Sequence, residues 1–190
     1  QFTLAIDQTS ETIDHRFGPD ADALAGGVSE ADLGRNEKVQ VTTSATPWAD
    51  VLGTGGELWD TASPYSLGWD GTLKGIEGGK PVWNWFLGGD QVAAAKDSPE
   101  GLAAAFAQRT EPAVPGIARA VAGGIVRRTN WCRDALTLGA YTNSAPGQLT
   151  RFGGLFWIES DDTAERQQAV AGRLIFAGEH VSDAWVGFMN

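Results

Sequence analysis

Residues 37–43 read EKVQVTT, with Val39 and Val41 alternating against Lys38, Gln40 and Thr42. A period of two sends successive side chains to opposite faces of a pleated strand, so this stretch predicts a half-buried strand with Lys38 and Gln40 on its polar face. Two other short runs are mostly apolar, FTLAI at residues 2–6 and RLIFA at residues 173–177, and their shortness predicts buried strands. ELWD at Glu57, the turn-rich SPYSLGWDGTLKGIEGGK and the apolar PVWNWFLGG predict further strands of a twisted antiparallel sheet.

At Ser98 the pattern changes. SPEGLAAAFAQR offers Ser98 as N-cap, Pro99 at the first helical position and Glu100 in the first turn, which predicts a helix through the Ala-rich stretch. EPAVPGIARAVAGGIVRRTNW then leads into another strand, residues 138–154 are loop-like and rich in Gly, Pro, Ser and Thr, and DDTAERQQAV reads as surface. After RLIFA comes a Gly178-Glu179 turn and a helix start within residues 185–190. A helix N-terminus presents free N–H groups to anions, but taken alone Glu179 reads as a solvated turn acid.

Charge removes some functions and leaves others. The 190 residues hold 24 acids against 14 Lys and Arg, a net charge of −10 that repels phosphate backbones and anionic membranes, so nucleic acid is not an expected partner. No apolar run approaches the roughly 20 residues that span a bilayer, and QFTLAIDQTS is neither a signal start nor a basic transit segment. Cys132 has no second cysteine to pair with, and His15 and His180 have no metal-ligand spacing, so localisation is not legible from redox chemistry. The 8 tryptophans and 25 glycines suit either a pocket for a planar cofactor or a Trp-rich β-module that binds carbohydrate or an apolar ligand.

The order of blocks separates these alternatives. N-W-C at 130–132, L-G-A-Y-T at 138–142, A-P-G-Q at 145–148, L-I-F-A-G-E-H at 174–180 and W-V-G-F-M-N at 185–190 resemble the C-terminal region of FAD-dependent amine oxidases, the monoamine oxidase, polyamine oxidase and L-amino-acid oxidase superfamily. LGRNEKVQV resembles that family's lysine-bearing strand beside the flavin, and FTLAI the strand that ends its nucleotide-binding half. The family's G-x-G-x-x-G fingerprint is absent, since GTGGEL at Gly53 lacks the third glycine and the βαβ setting. The expectation is therefore a C-terminal portion or subunit whose last helix is cut after Asn190, completed by an N-terminal FAD-binding chain of the same precursor.

The resemblance implies an α+β fold: an antiparallel twisted sheet with helices as substrate domain, plus a C-terminal strand and helix start completing an FAD-binding Rossmann-like domain. Residues 1–6 would belong to the FAD-binding half, residues 7–137 mainly to the substrate domain, and residues 138–190 to the FAD-binding segment. It implies that Trp131 packs beside the flavin ring, that Tyr141 and Phe188 flank the substrate amine, and that Lys38 holds a water near flavin N5. Gly178 and Glu179 correspond to the turn that contacts FAD, and Gly187, Phe188 and Met189 to the segment whose backbone faces the pyrimidine end of the flavin. Ala140 stands where covalent members carry a flavin-tethering cysteine, which implies noncovalent FAD.

The activity implied is oxidation of an amine to an imine, with oxygen reduced to hydrogen peroxide. The amine could be primary or secondary, a polyamine or an L-amino acid, and a homo-oligomer is compatible with the sequence. Two alternatives stay open: a flavin amine dehydrogenase with a protein electron acceptor, and the noncatalytic Trp-rich module.

Overall fold

A computed structural model describes residues 32–190 except 54–55, 61–63, 75–77, 154–155, 159, 172–173, 176, 183, 185–186 and 188–190. The strand expected at residues 2–6 and most of the helix start expected at 185–190 lie outside the described residues. The chain divides into two units, Arg35–Cys132, and Gln1–Gly34 with Arg133–Asn190.

Numbered along the chain, β1 (Asp32–Leu33) belongs to the second unit. β2 (Asn36–Thr42), β3 (Glu57–Trp59), β4 (Leu67–Asp70), β5 (Val82–Gly88) and β6 (Val126–Arg128) form the sheet of the first, in the order β3-β4-β5-β2-β6. Every pairing in it is antiparallel. The alternation expected at 37–43 holds: Val39 and Val41 are buried, and Trp83, Trp85 and Leu87 of β5 join them in one core with Trp48, Tyr65, Phe106 and Ile117. Burial of each such side chain contributes about 1.5–3 kcal/mol.

Helix Pro99–Thr110 starts as its sequence predicts, with Ser98 Oγ accepting from the Gly101 amide at 3.0 Å. Its far end fixes the sheet. Thr110 Oγ1 donates to the Phe106 carbonyl (2.7 Å) and accepts from the Trp85 indole N–H (3.0 Å) and from the Tyr65 hydroxyl (2.9 Å), so a fully buried hydroxyl is satisfied three ways. Glu111 then accepts from the amides of Gly116 (2.7 Å) and Ala118 (2.8 Å), which caps helix Ile117–Val121. Those amide bonds, Ala118 foremost, hold the Glu111 carboxyl below its ordinary pKa.

Glu37 follows the alternation in position, sharing the core side with Val39 and Val41, but it is an acid and is fully buried. Its Oε2 meets Arg128 Nε at 2.5 Å, and Arg128 Nη1 donates to the Ala95 carbonyl at 2.6 Å. The pair ties β2 and β6 to the segment that follows helix Asp90–Ala94. It is incompletely satisfied, because Glu37 Oε1 and Arg128 Nη2 have no partner.

The second unit has little regular structure among its described residues. β1 pairs antiparallel with β7 (Thr142–Asn143), and β8 (Val170–Ala171) pairs with β9 (Leu174–Ile175). RLIFA differs from its expectation as a buried strand. Of its described residues, Leu174 and Ile175 form β9, and Ile175 is 82% exposed, because among the described residues β8 alone pairs with it and nothing covers that side chain. The 138–154 loop also holds a helical turn, Gln148–Phe152, which Gly147 enters at φ +87°.

Candidate functional site

The second unit gathers three of the blocks that are separated in sequence. Beyond Gly178 the chain makes a 3₁₀ turn, Glu179–Val181, which sends the Glu179 carboxylate inward until the residue is only 7% exposed. Glu179 Oε1 accepts from both the amide (2.9 Å) and the hydroxyl (2.6 Å) of Thr142, and Oε2 accepts from the Gly187 amide (2.9 Å). Glu179 is thus a buried tie and not a solvated turn acid: its charge is stabilised by donors that only the folded chain delivers.

Tyr141 sits inside this tie. The β1–β7 ladder extends on both sides of it, with the Gly34 amide donating to the Tyr141 carbonyl and the Ala140 amide to the Gly34 carbonyl. The Ala140–Tyr141 peptide bond is cis, and Ala140 is buried. Gly187 has φ +87°, and its Cα faces the Tyr141 ring, which an added Cβ would meet at 3.7 Å. Gly178 has φ +147°, and an added Cβ would approach the His180 ring at 2.7 Å, so both the backbone and the neighbour require glycine there. Burial holds the His180 imidazole below its ordinary pKa, and the nearby Glu179 carboxylate opposes that shift in part.

Lys38 and Trp131 belong to the first unit. Lys38 lies on the sheet face opposite the core, its Nζ 5.7 Å from the centroid of the Phe86 ring on the neighbouring strand. Trp69 of β4 adds a second ring, 6.3 Å from Phe86 and tilted by 48°. Trp131 opens a 3₁₀ turn, Trp131–Arg133, and is 41% exposed, so it is not absorbed into this unit's core.

Among the sequence-predicted positions, Ala140, Tyr141, Gly178, Glu179 and Gly187 fall in the second unit, and the Glu179 tie links its turn to the Tyr141 and Gly187 segments. Phe188 and Met189 lie outside the described residues. Thr142, Phe86 and Trp69 were not singled out by sequence. The alternation in VWNWFL carries a signal for Phe86, since it separates Phe86 from Trp83, Trp85 and Leu87, but the register opposite Lys38 is a tertiary fact. Among the described residues no group of His, Cys, Asp or Glu is gathered as a metal site, and no helix is long and apolar enough to cross a membrane.

The residues fit a flavin. Ala140 presents no thiol, Gly178 is exposed and has no side chain, and Tyr141 carries an aromatic ring on backbone that the Gly34 amide and the Thr142–Glu179 bond hold in place.

No curated protein matches significantly. Among solved structures, cyclohexylamine oxidase from Brevibacterium oxydans IH-35A superposes with a TM-score of 0.67 at 24% identity, covering 88% of this chain and 34% of the oxidase. Wild-type putrescine oxidase bound to putrescine gives a TM-score of 0.55 at 20% identity, covering 69% of this chain and 28% of its own. At these identities the likeness is one of fold, and this chain spans about a third of the length of those enzymes. The flavin-containing amine oxidoreductase family matches residues 8–190. With the same α+β fold and the family's blocks drawn together by Glu179, this chain belongs to the flavin-containing amine oxidoreductases.

Proposed function

We propose that this chain takes part in oxidising an amine, whether a primary or secondary amine, a polyamine or an L-amino acid, to an imine, with oxygen as acceptor and hydrogen peroxide as product. The observation that carries the reading is the Glu179 tie, which links the Tyr141-Thr142 and Gly187 segments at the point where the family pattern puts cofactor and amine. The cyclohexylamine and putrescine oxidases of like fold support an oxidase over a dehydrogenase.

FAD, when bound, would supply the acceptor for a hydride from the substrate α-carbon and the route of both electrons to oxygen. The residues of this chain bind and orient. Tyr141 and Phe188 flank the amine, and their apolar faces favour its neutral form by desolvating the ammonium. Hydride loss from the neutral amine leaves an iminium, which gives one N–H proton to water to become the imine; water then adds to the carbon and releases ammonia, or an amine from a secondary substrate, leaving a carbonyl compound. Lys38 holds a water where oxygen is reduced. Trp131, Gly178, Glu179, Gly187 and Met189 line the cofactor, and Ala140 leaves it noncovalent. Residues 7–137 serve mainly the substrate and 138–190 the FAD, while the pyrophosphate cradle comes from a partner chain or segment bearing the glycine fingerprint that this sequence lacks.

The test is anaerobic mixing of amines with the FAD-loaded enzyme that contains this chain, followed by admission of air. Bleaching of the flavin absorbance, then its return with one peroxide per amine, is expected. Bleaching without peroxide under air would replace the oxidase by a dehydrogenase, and no bleaching by any amine would remove the reading.

A further inference from the structure

The backbone of Lys38 is held from one side of its strand. In an antiparallel ladder the N–H and C=O of a residue turn to the same neighbour. Phe86, opposite Lys38 on β5, turns away from it, since its carbonyl accepts from the Ser66 amide at 2.8 Å. Both backbone groups of Lys38 turn to the β6 side and meet Thr129: the Lys38 amide donates to Thr129 Oγ1 at 2.8 Å, and the Lys38 carbonyl accepts from the Thr129 amide at 3.0 Å. A regular antiparallel pair exchanges both bonds through the backbone, whereas here one of the two passes through a side chain. The change falls one residue past the end of β6, where the chain leaves the sheet for the turn Trp131–Arg133. The hydroxyl thus extends the hold of β6 on β2 beyond the ladder.

Arg128 holds the residue before. Its guanidinium bonds the Glu37 carboxylate on the core side of the sheet, so consecutive residues at the end of β6 hold consecutive residues of β2. A slip of one residue would break the Glu37 bond and turn Lys38 into the core, so the ion pair secures the register and Thr129 secures the backbone of the lysine. We propose that Thr129 is a positioning residue of the oxidative half-reaction: its hydroxyl fixes the backbone from which Lys38 reaches its water, and ties that lysine to the segment bearing Trp131. The inference rests on the reading of Lys38 given above. Oxygen gains two electrons and two protons in that half-reaction, drawn from the reduced flavin and the surrounding water, and leaves as hydrogen peroxide. The lysine ammonium stands on a flexible stem, which the Phe86 ring, 5.7 Å from Nζ, confines near its tip and Thr129 confines at its root. With the root loosened, the orientation of the water is lost first.

Matched variants test this in the FAD-loaded enzyme that contains this chain. Thr129→Val keeps the shape and removes the acceptor, and is expected to slow reoxidation by oxygen roughly tenfold while anaerobic reduction by an amine changes less than about threefold. Thr129→Ser, which keeps the oxygen, is expected to restore most of the rate. In the Lys38→Met background Thr129→Val is expected to add little, because a residue acting through Lys38 has nothing left to position. Equal slowing of both half-reactions, no recovery in Thr129→Ser, or an undiminished effect in the Lys38→Met background would overturn the proposal. Reoxidation slowed in Lys38→Met but not in Thr129→Val would also overturn it and leave the Lys38 reading standing. Reoxidation unchanged in both would remove that reading, and the proposal with it.

Amide exchange in heavy water reads the hydrogen bond itself, without turnover. The Lys38 amide is expected to exchange roughly tenfold faster in Thr129→Val and near its original rate in Thr129→Ser, while the amide of Val41, farther along the same strand, keeps its rate. Where Thr129→Val does not hold FAD, Thr129→Ala takes its place with the same expectations. An unaltered Lys38 exchange rate on loss of the hydroxyl would show that Thr129 does not hold the lysine.

Discussion

The two oxygens of Glu179 accept hydrogen bonds from Thr142, 37 residues earlier, and from Gly187, 8 residues later. Glu179→Gln keeps the shape but turns one acceptor into a donor facing an N–H, so the variant is expected to lose about 1–3 kcal/mol of stability and to release its flavin at a lower temperature. Thermal denaturation monitored by flavin fluorescence would measure both. His180 beside it gives the same segment a pH dependence. Its folded pKa lies below the ordinary 6.5, so as pH falls through 6.5 the unfolded chain takes up a proton that the folded chain does not. Stability is therefore expected to fall below about pH 6.5 and to be flat above it, and His180→Gln to flatten a plot of melting temperature between about pH 5 and about pH 7.5. Lys38→Met should slow reoxidation by oxygen roughly tenfold or more while anaerobic reduction persists, whereas Tyr141→Ala should impair reduction, a split that stopped-flow traces of each half-reaction would resolve. Motif letters located Glu179 in the sequence, but its burial was not legible, because the donors that stabilise it come from distant segments.

Local chemistry decides some elements and partners decide others. Ser98, Pro99 and Glu100 announce their helix within three residues, and the structure uses Ser98 as expected; Ser98→Ala should cost about 1 kcal/mol in a denaturant titration. The strand at 37–43 was equally legible, since a half-buried strand needs only alternation. RLIFA was not, because an apolar run is buried only if neighbouring strands cover it, and Ile175 stays in solvent beside β8. The helical turn Gln148–Phe152 was hidden for another reason: it has no side-chain cap and is entered through a left-handed glycine, which reads as loop. The Glu111 cap makes one helix sensitive to acid. Its carboxylate has a depressed pKa, so its contribution is present above the ordinary 4.5 and is lost as pH falls through the folded value. Glu111→Ala should remove that part of the acid dependence and loosen Ile117–Val121, measurable as faster amide exchange at Gly116 and Ala118.

On the scale of the molecule, the family was legible in the order of its blocks, but the division at Gly34 and Cys132 was not, since no composition shift marks it. Ala140 sets the attachment of the proposed cofactor: acid precipitation of the holoenzyme should leave all flavin in the supernatant, and yellow pellet would contradict noncovalent binding. The Glu37–Arg128 pair joins three elements of its unit at the cost of two unpartnered polar atoms. Removing one partner in Glu37→Ala should destabilise by about 3–5 kcal/mol, and replacing both by apolar residues should recover most of the loss in chemical denaturation. The core of the same unit holds the fully buried indoles of Trp83 and Trp85, of which Trp85 bonds its N–H to Thr110 while that of Trp83 has no acceptor. In a proton–nitrogen correlation spectrum this difference becomes a built-in gauge. The Trp85 indole resonance should lie downfield of that of Trp83, and, being tied to the end of helix Pro99–Thr110, it should be among the last to exchange in heavy water, reporting when helix and sheet come apart.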